Sequence, residues 1–333
     1  MGKDLTMKST VIASLIAFVG ATLLTPLYSC AEDLLPSWKS GEMKTALTNF
    51  VDNASRVGAP TFVPESERIA VFDNDGTLWS EKPMYFQALF AIDRVKAMAP
   101  SHPEWEEKEP FRSILAGDLK TALSSGDEAL LEMITATHSG MTTEEFAQIV
   151  RHWLATATHP STGKRYTQMV YRPMVEVLSY LRSRGFKTYI VTGGGVEFVR
   201  VFAEEVYGVP PEQVIGSSGK VAYEVRDGVP TLVKLPGIHF IDDKAGKPLA
   251  IHYQIGRRPV MAFGNSDGDF QMLEWVSGGA GPRFAAIVHH DDAAREWAYD
   301  RKSHVGKLDR GLDEASRRGW KLFSMSRDWV TVF

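Results

Sequence analysis

Hydrophobic positions in this chain fall into two alternating patterns. Short, nearly uninterrupted apolar runs occur at Arg68–Phe72, Lys187–Val191, Val214–Ser217, Pro259–Phe263 and Ala285–His289, the first ending in Asp73-Asn74-Asp75-Gly76. Runs of this length closed by turn residues predict strands buried on both faces. Between them apolar residues take helical spacing. Met174, Val177, Leu178 and Leu181 form one stripe, closed by Gly185 after Arg182 and Arg184. Phe198, Val201 and Phe202 share another face, which stops before Pro210-Pro211. Strands alternating with helices predict an α/β fold with a doubly wound parallel sheet. Ligands of such sheets bind outside the carboxyl ends of the strands, where Asp73, Thr192 and Asn265 all fall.

Two stretches depart from this alternation. Residues 82–165 contain no convincing strand but carry helical patterns at Met84–Ala97, Asp127–Thr137 and Thr143–Ala155. They predict a helical cap, residues 83–165, inserted over the strand ends of a core made of residues 32–82 and 166–333. A lead-in helix is expected near Met43–Val57, ended by Gly58-Ala59-Pro60. Val221–Val225 and Val229–Val233 flank Arg226-Asp227-Gly228, a hairpin signal with no chemistry attached.

Composition then narrows the class of partner. The 333 residues are 44% hydrophobic and 23% charged, with a formal net charge of -4, which argues against a nucleic-acid binder and for a small-molecule partner. Lys3 and Lys8 precede an uncharged run from Ser9 to Ser29, densest over Val11–Leu24. That core is shorter than the roughly 20 residues of a spanning helix, so residues 1–31 read as a signal peptide, with Met7 an alternative start. Cys30 is the only cysteine and permits no intramolecular disulfide. Leu27-Tyr28-Ser29-Cys30 resembles a bacterial lipobox, while Ser29 and Ala31 also satisfy ordinary cleavage after Ala31. Either way the expectation is an exported protein of the bacterial periplasm, touching the membrane only through a lipid on Cys30.

The candidate chemistry begins at Asp73 and Asp75. Carboxylates this close repel unless a cation lies between them, which points to a hard-metal site; a plain turn rich in Asp and Gly is the alternative. Asp73-Asn74-Asp75-Gly76-Thr77-Leu78 is similar to the first motif of the haloacid dehalogenase superfamily phosphatases. Ile190-Val191-Thr192-Gly193-Gly194-Gly195 resembles their second motif, and Gly264-Asn265-Ser266-Asp267-Gly268-Asp269 their fourth. The nearest flavour is the phosphoserine and phosphorylcholine phosphatase branch.

The resemblance implies a division of labour. Asp73 is the nucleophile that accepts phosphate, and Asp75 the general acid and then base. Thr192 and Gly193, with Gly194 and Gly195, receive the phosphoryl group. The family also requires a lysine, for which the candidates are Lys234, Lys244 and Lys247. Lys247 is preferred because Lys244 directly follows its own partners, Asp242-Asp243. Mg2+ would be held by Asp73, the Asp75 carbonyl and Asp269. Asn265 stands where many relatives carry aspartate, so the amide reaches the metal, a water intervenes, or Asp267 substitutes.

Other features are weaker. His289-His290-Asp291-Asp292 could pass for a metal cluster, but its place after an apolar strand suits capping of the next helix. Trp79, Tyr85, Phe86, Trp105 and Trp153 could cage a choline headgroup, although aromatics in a cap usually serve as core. The resulting expectation is a magnesium-dependent hydrolase of small phosphomonoesters in the cell envelope. Its rivals are phosphoryl transfer to an acceptor alcohol and a catalytically silent envelope-binding lipoprotein. The mark of the last would be loss of Asp73, Asp75 or the lysine, and all are present.

Overall fold

Every apolar run expected to be a strand forms one. The computed structural model describes residues 1–2, 33–122 and 126–333. Met1–Asp33 and Leu34–Phe333 are separate units, and the fold is that of the second. The expected signal peptide and Cys30 lie outside the described residues. Among the described residues no helix is long and apolar enough to cross a membrane.

The strands are β1 (Ile69–Phe72), β2 (Lys187–Gly195), β3 (Val214–Arg226), β4 (Val229–Phe240), β5 (Met261–Gly264), β6 (Phe284–His289) and β7 (Lys321–Ser324). They form one seven-stranded sheet in the order β4-β3-β2-β1-β5-β6-β7. All neighbours are parallel except β3 and β4. β7 was not expected; it is four residues long, opens on a lysine and shows too little apolar run to signal a strand.

Side-chain alternation along the central strands explains the layering. Ala70 and Phe72 of β1, Met261 and Phe263 of β5, and Ala286 and Val288 of β6 enter one apolar core. Val71, Ala262, Ala285 and Ile287 enter the other. On the first face pack α1 (Glu42–Ser55), through Leu47 and Val51, and the helix at Arg172–Ser183, through Met174, Val177, Leu178 and Leu181. On the second lie the helices Gly246–Ile255, Phe270–Ser277 and Arg310–Arg318. The stripe at Phe198, Val201 and Phe202 does not make one helix. It breaks into Val196–Arg200 and Ala203–Tyr207, the second closed by Gly208 in the left-handed region at φ 66°.

Between β1 and β2 stand the helices α2 (Phe86–Met98), α3 (Phe111–Leu115), α4 (Leu119–Ala122), α5 (Asp127–His138) and α6 (Thr143–Thr156). Ala91, Ile92 and Val95 of α2 pack with Trp105, Phe111, Ile114 and Met133 in a core of their own. The hairpin is longer than its sequence signal. Val214–Ser217 and Val221–Val225 are one strand, interrupted in pattern by Gly219, where the register shifts. The extended β4 reaches the helical segment: Gly140 N–H donates to Lys234 O (2.8 Å) and Lys234 N–H to Met141 O (2.9 Å).

The order of strands decides where the site can form. β1 lies between β2 and β5, and the chain winds outward in opposite directions on its two sides. This leaves a crevice beyond the carboxyl end of β1, where Asp73 follows Phe72. Phe72 stacks on Phe263 with centroids 4.4 Å apart and planes 12° apart, so the two strands that carry the site share their packing. Phe263→Ala should cost about 3–5 kcal/mol of stability. Urea denaturation checks this, and a loss below about 1 kcal/mol would contradict the packing described.

Candidate active site

The loop after β1 is folded by its own backbone. Asp73 N–H donates to Phe263 O of the neighbouring strand (2.9 Å), and Asn74 O accepts from the N–H groups of Thr77 (3.2 Å) and Leu78 (2.8 Å). Gly76 sits at φ 77°, a conformation that favours glycine, and a side chain there would collide with the Asn265 amide and the Glu81 carboxylate. The Gly76 carbonyl is held from behind by His290, whose Nε2 lies 2.8 Å from it. His290 Nδ1 meets Glu296 (3.2 Å), which also accepts from Tyr171 and Ser80 (2.8 Å each). His290 therefore supports the loop after β1 and neither caps a helix nor joins a metal cluster. Residues 290–309 contain no helix for it to cap. Asp291 accepts from Ser324 Oγ and Ser326 N–H, and Asp292 pairs with Arg295.

Lys247 rises from the start of its helix into this loop, at 2% exposure. Its three ammonium hydrogens have three acceptors: Asp73 Oδ1 (2.6 Å), Asp269 Oδ1 (2.7 Å) and Val191 O (2.7 Å). Burial opposes its charge, but Asp269 and Asp73 overcome that and hold its pKa above the ordinary lysine value. Burial, and then Asp269, push the Asp73 carboxyl well above its usual range although Lys247 works against them. Asp75 is raised by burial while its Oδ1 accepts from Trp79 Nε1 (2.8 Å). The other two lysine candidates do not pair with Asp73: Lys244 is exposed beside Asp243, and Lys234, which also lines the cavity, pairs with Glu197.

The loop after β5 brings the third group of residues. Asn265 Nδ2 donates to Glu81 Oε1 (2.8 Å), which leaves Oδ1 turned toward Thr77 Oγ1 (3.3 Å). Asp267 is not available to a metal. Its carboxylate accepts from the N–H groups of Asp309 (3.2 Å), Arg310 (3.1 Å) and Gly311 (2.9 Å), and so caps the helix Arg310–Arg318. Asp269 Oδ2 accepts from Asn265 N–H (3.0 Å) and Ser266 N–H (3.2 Å) while Oδ1 holds Lys247. A carboxylate has about four acceptor positions, so Oδ1 keeps one beyond the contact with Lys247.

Among the described residues no three His, Cys, Asp or Glu side chains form a metal cage. Magnesium needs none, since it is commonly held by one or two carboxylates and keeps several waters. Asp73, Asp75, Glu81 and Asp269 meet the ammonium of Lys247 in one cavity, so negative charge is in excess there. The donors are hard oxygens, and two of them, the Asp75 carbonyl and the Asn265 amide, are neutral. The set fits a small divalent cation.

That cavity has a volume of about 430 Å³ and opens between the strand ends and the helical segment. Asp73, Asp75, Gly193, Lys247 and Asp269 line it, whereas Thr192 and Asn265 stand behind its wall, both buried. Thr192 Oγ1 accepts from Gly194 N–H (3.0 Å), and Gly195 N–H donates to Gln87 Oε1 of α2 (2.6 Å). The glycine turn thus already has partners for two of the amides expected to meet an anion. Of the five aromatics considered as a cage, only Tyr85 lines the cavity; Trp79, Phe86 and Trp153 belong to the main core and Trp105 to the core of the helical segment.

Sequence reasoning missed Glu81, Gln87, His138, Glu197 and the buried His290–Glu296 pair. It also left the hairpin without chemistry, although β4 sends Lys234, Leu235 and Ile238 into the cavity. Glu81 had one available signal, its position a few residues past the aspartate pair; the others reach the site only through long-range packing.

A family model described as haloacid dehalogenase-like hydrolase matches residues 70–274. No curated protein matches the chain in sequence. Among solved structures, the fold is similar to that of a protein with unknown function from Bordetella pertussis Tohama I, at 18% identity and TM-score 0.50 over 77% of this chain and 98% of that one. It is also similar to a conserved functionally unknown protein from Anaerococcus prevotii DSM 20548, at 16% identity and TM-score 0.54 over 85% and 91% of the two chains. At these identities the likeness establishes the fold.

The capping role of Asp267 is testable. Asp267→Ala should lower stability by about 0.5–2 kcal/mol and leave magnesium affinity, measured by calorimetric titration, unchanged. A loss of magnesium binding without loss of stability would return Asp267 to the metal site.

Proposed function

Because the chain belongs to the family of haloacid dehalogenase-like hydrolases, we propose that it hydrolyses small phosphomonoesters through an aspartyl phosphate on Asp73. The observation that carries this reading is the placement of Asp73 at the mouth of β1 with Oδ1 held by Lys247 at 2.6 Å and Asp75 on the same cavity wall. Lys247 fixes the nucleophile's orientation and offsets the charge brought by an incoming phosphate.

In the first step a carboxylate oxygen of Asp73 bonds to phosphorus and the ester P–O bond breaks. Asp75, whose pKa burial raises, delivers its proton to the departing alkoxide, which leaves as the alcohol. In the second step Asp75 takes a proton from water, the water oxygen bonds to phosphorus and the Asp73 acyl phosphate breaks, releasing inorganic phosphate and restoring both aspartates. Thr192 Oγ1, which accepts from Gly194 N–H, keeps its own hydrogen for a phosphoryl oxygen. Asp73, the Asp75 carbonyl and Asn265 would hold Mg2+, with Asp269 beside them. When bound, the ion supplies charge stabilisation to the transferring phosphoryl group.

Phosphate release should require magnesium and disappear after exhaustive chelation and in Asp73→Asn. Asp75→Asn keeps the backbone carbonyl, so it isolates proton transfer. In single-turnover formation of the acyl phosphate it should slow an alkyl phosphate by roughly 100- to 10,000-fold, and nitrophenyl phosphate, whose leaving group needs little protonation, far less. Equal losses for the two esters would remove the acid role from Asp75.

We also propose that the enzyme works outside the cytoplasm, a reading supported only by the sequence of residues 1–31. If Cys30 is lipidated, Cys30→Ser should move mature protein from the membrane to the soluble fraction. A free Glu32 N-terminus in the wild type, read by mass spectrometry, would establish simple cleavage after Ala31 instead.

A further inference from the structure

Gln87 carries the helical segment to the catalytic end of the cavity. It is the second residue of α2, and its neighbours Phe86 and Phe90 are wholly buried in the main core. Phe86 meets Trp79 of the loop after β1 edge to face (centroids 4.8 Å), and Phe90 meets Phe198 of the helix Val196–Arg200 (5.4 Å). This end of α2 is therefore fixed relative to the strand ends.

The orientation of the Gln87 amide follows from its partner. Gly195 N–H can only donate, so the atom 2.6 Å from it is the carbonyl oxygen Oε1, and the other end of the amide is Nε2. Nε2 carries two N–H groups that find no acceptor among the described residues, and it keeps accessible surface. A β-carbon on Gly194 would stand 3.2 Å from Gln87 Oε1, 3.2 Å from Thr192 Oγ1 and 3.6 Å from Asp75 Oδ2, and one on Gly195 would stand 2.6 Å from Nε2. Gln87, Asp75, Gly194 and Gly195 all line the cavity. Asp75 has to face the ester oxygen it protonates, which puts the first atoms of the leaving alcohol beside the Gln87 amide.

The other polar groups on this cavity are spent or unfixed. Ser217 Oγ donates to Gly193 O (2.8 Å) and accepts from Asp242 N–H (2.9 Å). Ser266 Oγ donates to Asp269 Oδ2 (3.4 Å) and accepts from Gly268 N–H (3.2 Å). Lys247 has its three acceptors, Lys234 holds Glu197, and Glu81 Oε1 accepts from Asn265 and Tyr299. Lys220 and Asp243 stand toward solvent. The hydroxyls of Tyr85, Thr135, Ser139 and Ser218 rotate and can donate or accept, so none of them demands one kind of partner. Gln87 Nε2 is held in place and only donates.

We propose that Gln87 is a specificity-determining residue whose Nε2 donates to an oxygen of the leaving alcohol two or three carbons from the ester. Phosphate esters of such oxygen-bearing alcohols are then preferred to plain alkyl phosphates. The inference rests on phosphomonoester hydrolysis at Asp73 with Asp75 as the acid.

The test uses the full-length protein with magnesium and two pairs of uncharged alcohols matched in length: 2-methoxyethyl against butyl phosphate, and 3-methoxypropyl against pentyl phosphate. Nitrophenyl phosphate is assayed alongside. An ether oxygen accepts and cannot donate, and comparing each ether-to-alkyl ratio between wild type and variant cancels the greater hydrophobicity of the alkyl ester. Gln87→Met keeps the length of the side chain and removes both ends of the amide, so the ratio of kcat/KM values should fall by roughly 3- to 10-fold for at least one pair. Gln87→Glu, assayed at about pH 8, above the usual carboxylate range, keeps an oxygen for Gly195 N–H and removes both donors. Its ratio should fall at least as far although the glycine turn keeps its partner, and this variant carries the test if Gln87→Met does not fold. Ser218→Ala and Tyr85→Phe should leave the ratio unchanged. A ratio that stays at the wild-type value in Gln87→Glu makes Gln87 a support of the glycine turn alone and overturns the inference. So does a fall in Ser218→Ala or Tyr85→Phe as large as that in the Gln87 variants. If nitrophenyl phosphate is hydrolysed in those cases, phosphomonoester hydrolysis stands. If no ester releases phosphate, both fall.

Discussion

A lysine ammonium shared by two buried carboxylates and one strand carbonyl is the constraint on which the rest of this site depends. Lys247 Nζ reaches Asp73 at the end of β1, Val191 O in β2 and Asp269 after β5, so one side chain ties the three central strands together at their carboxyl ends. Removing one partner from such a buried set typically costs about 3–5 kcal/mol, because the charge left behind has no solvent to replace it. The same ammonium is too little to balance Asp73, Asp75, Glu81 and Asp269 together. The site is held short of cations by construction, which is the electrostatic ground for a bound divalent ion and an incoming phosphate to be accommodated in turn.

Around that centre the second layer is polar and almost wholly internal. Glu81 orients the Asn265 amide and accepts from Tyr299 (2.8 Å), while burial raises its own pKa. His290 and Glu296 fix the carbonyl of Gly76 from the opposite side. Glu81 also lines the cavity beside Asp73 and Asp75, whereas His290 and Glu296 hold the loop after β1 from behind, and Asn265 and Glu81 leave no room for a side chain at Gly76. The helical segment and the β3–β4 hairpin then close the cavity from above, joined backbone to backbone at Gly140, Met141 and Lys234. The buried carboxylates and Lys247 thus stand at the strand ends, and the helical segment and hairpin supply the opposite wall.

Much of this was legible in the residues alone. The apolar runs set the strands because a strand buried on both faces must be continuously hydrophobic, and the helical stripes set the layers because each must bury one face. Asp73, Asp75, Thr192 and Asn265 could be placed at strand ends from pattern alone, since each directly follows or ends such a run. That a lysine should join them was implied by the family resemblance; Lys247 was preferred to Lys244 because the latter has local acidic neighbours, and Lys247 lies against Asp73. These are short-range inferences, and local sequence carries the information they need.

What only the tertiary structure decided is which distant groups meet. Asp267 looked like a metal candidate until its carboxylate was found on the helix start at Arg310, more than forty positions away. Gln87 meets Gly195, Glu81 meets Asn265, and Lys234 leaves its hairpin to pair with Glu197. The physical reason is the same in each case. Periodicity and turn chemistry act over a few residues, whereas the partner of a buried polar group is set by how whole layers pack, and a single sequence holds no local mark of that encounter.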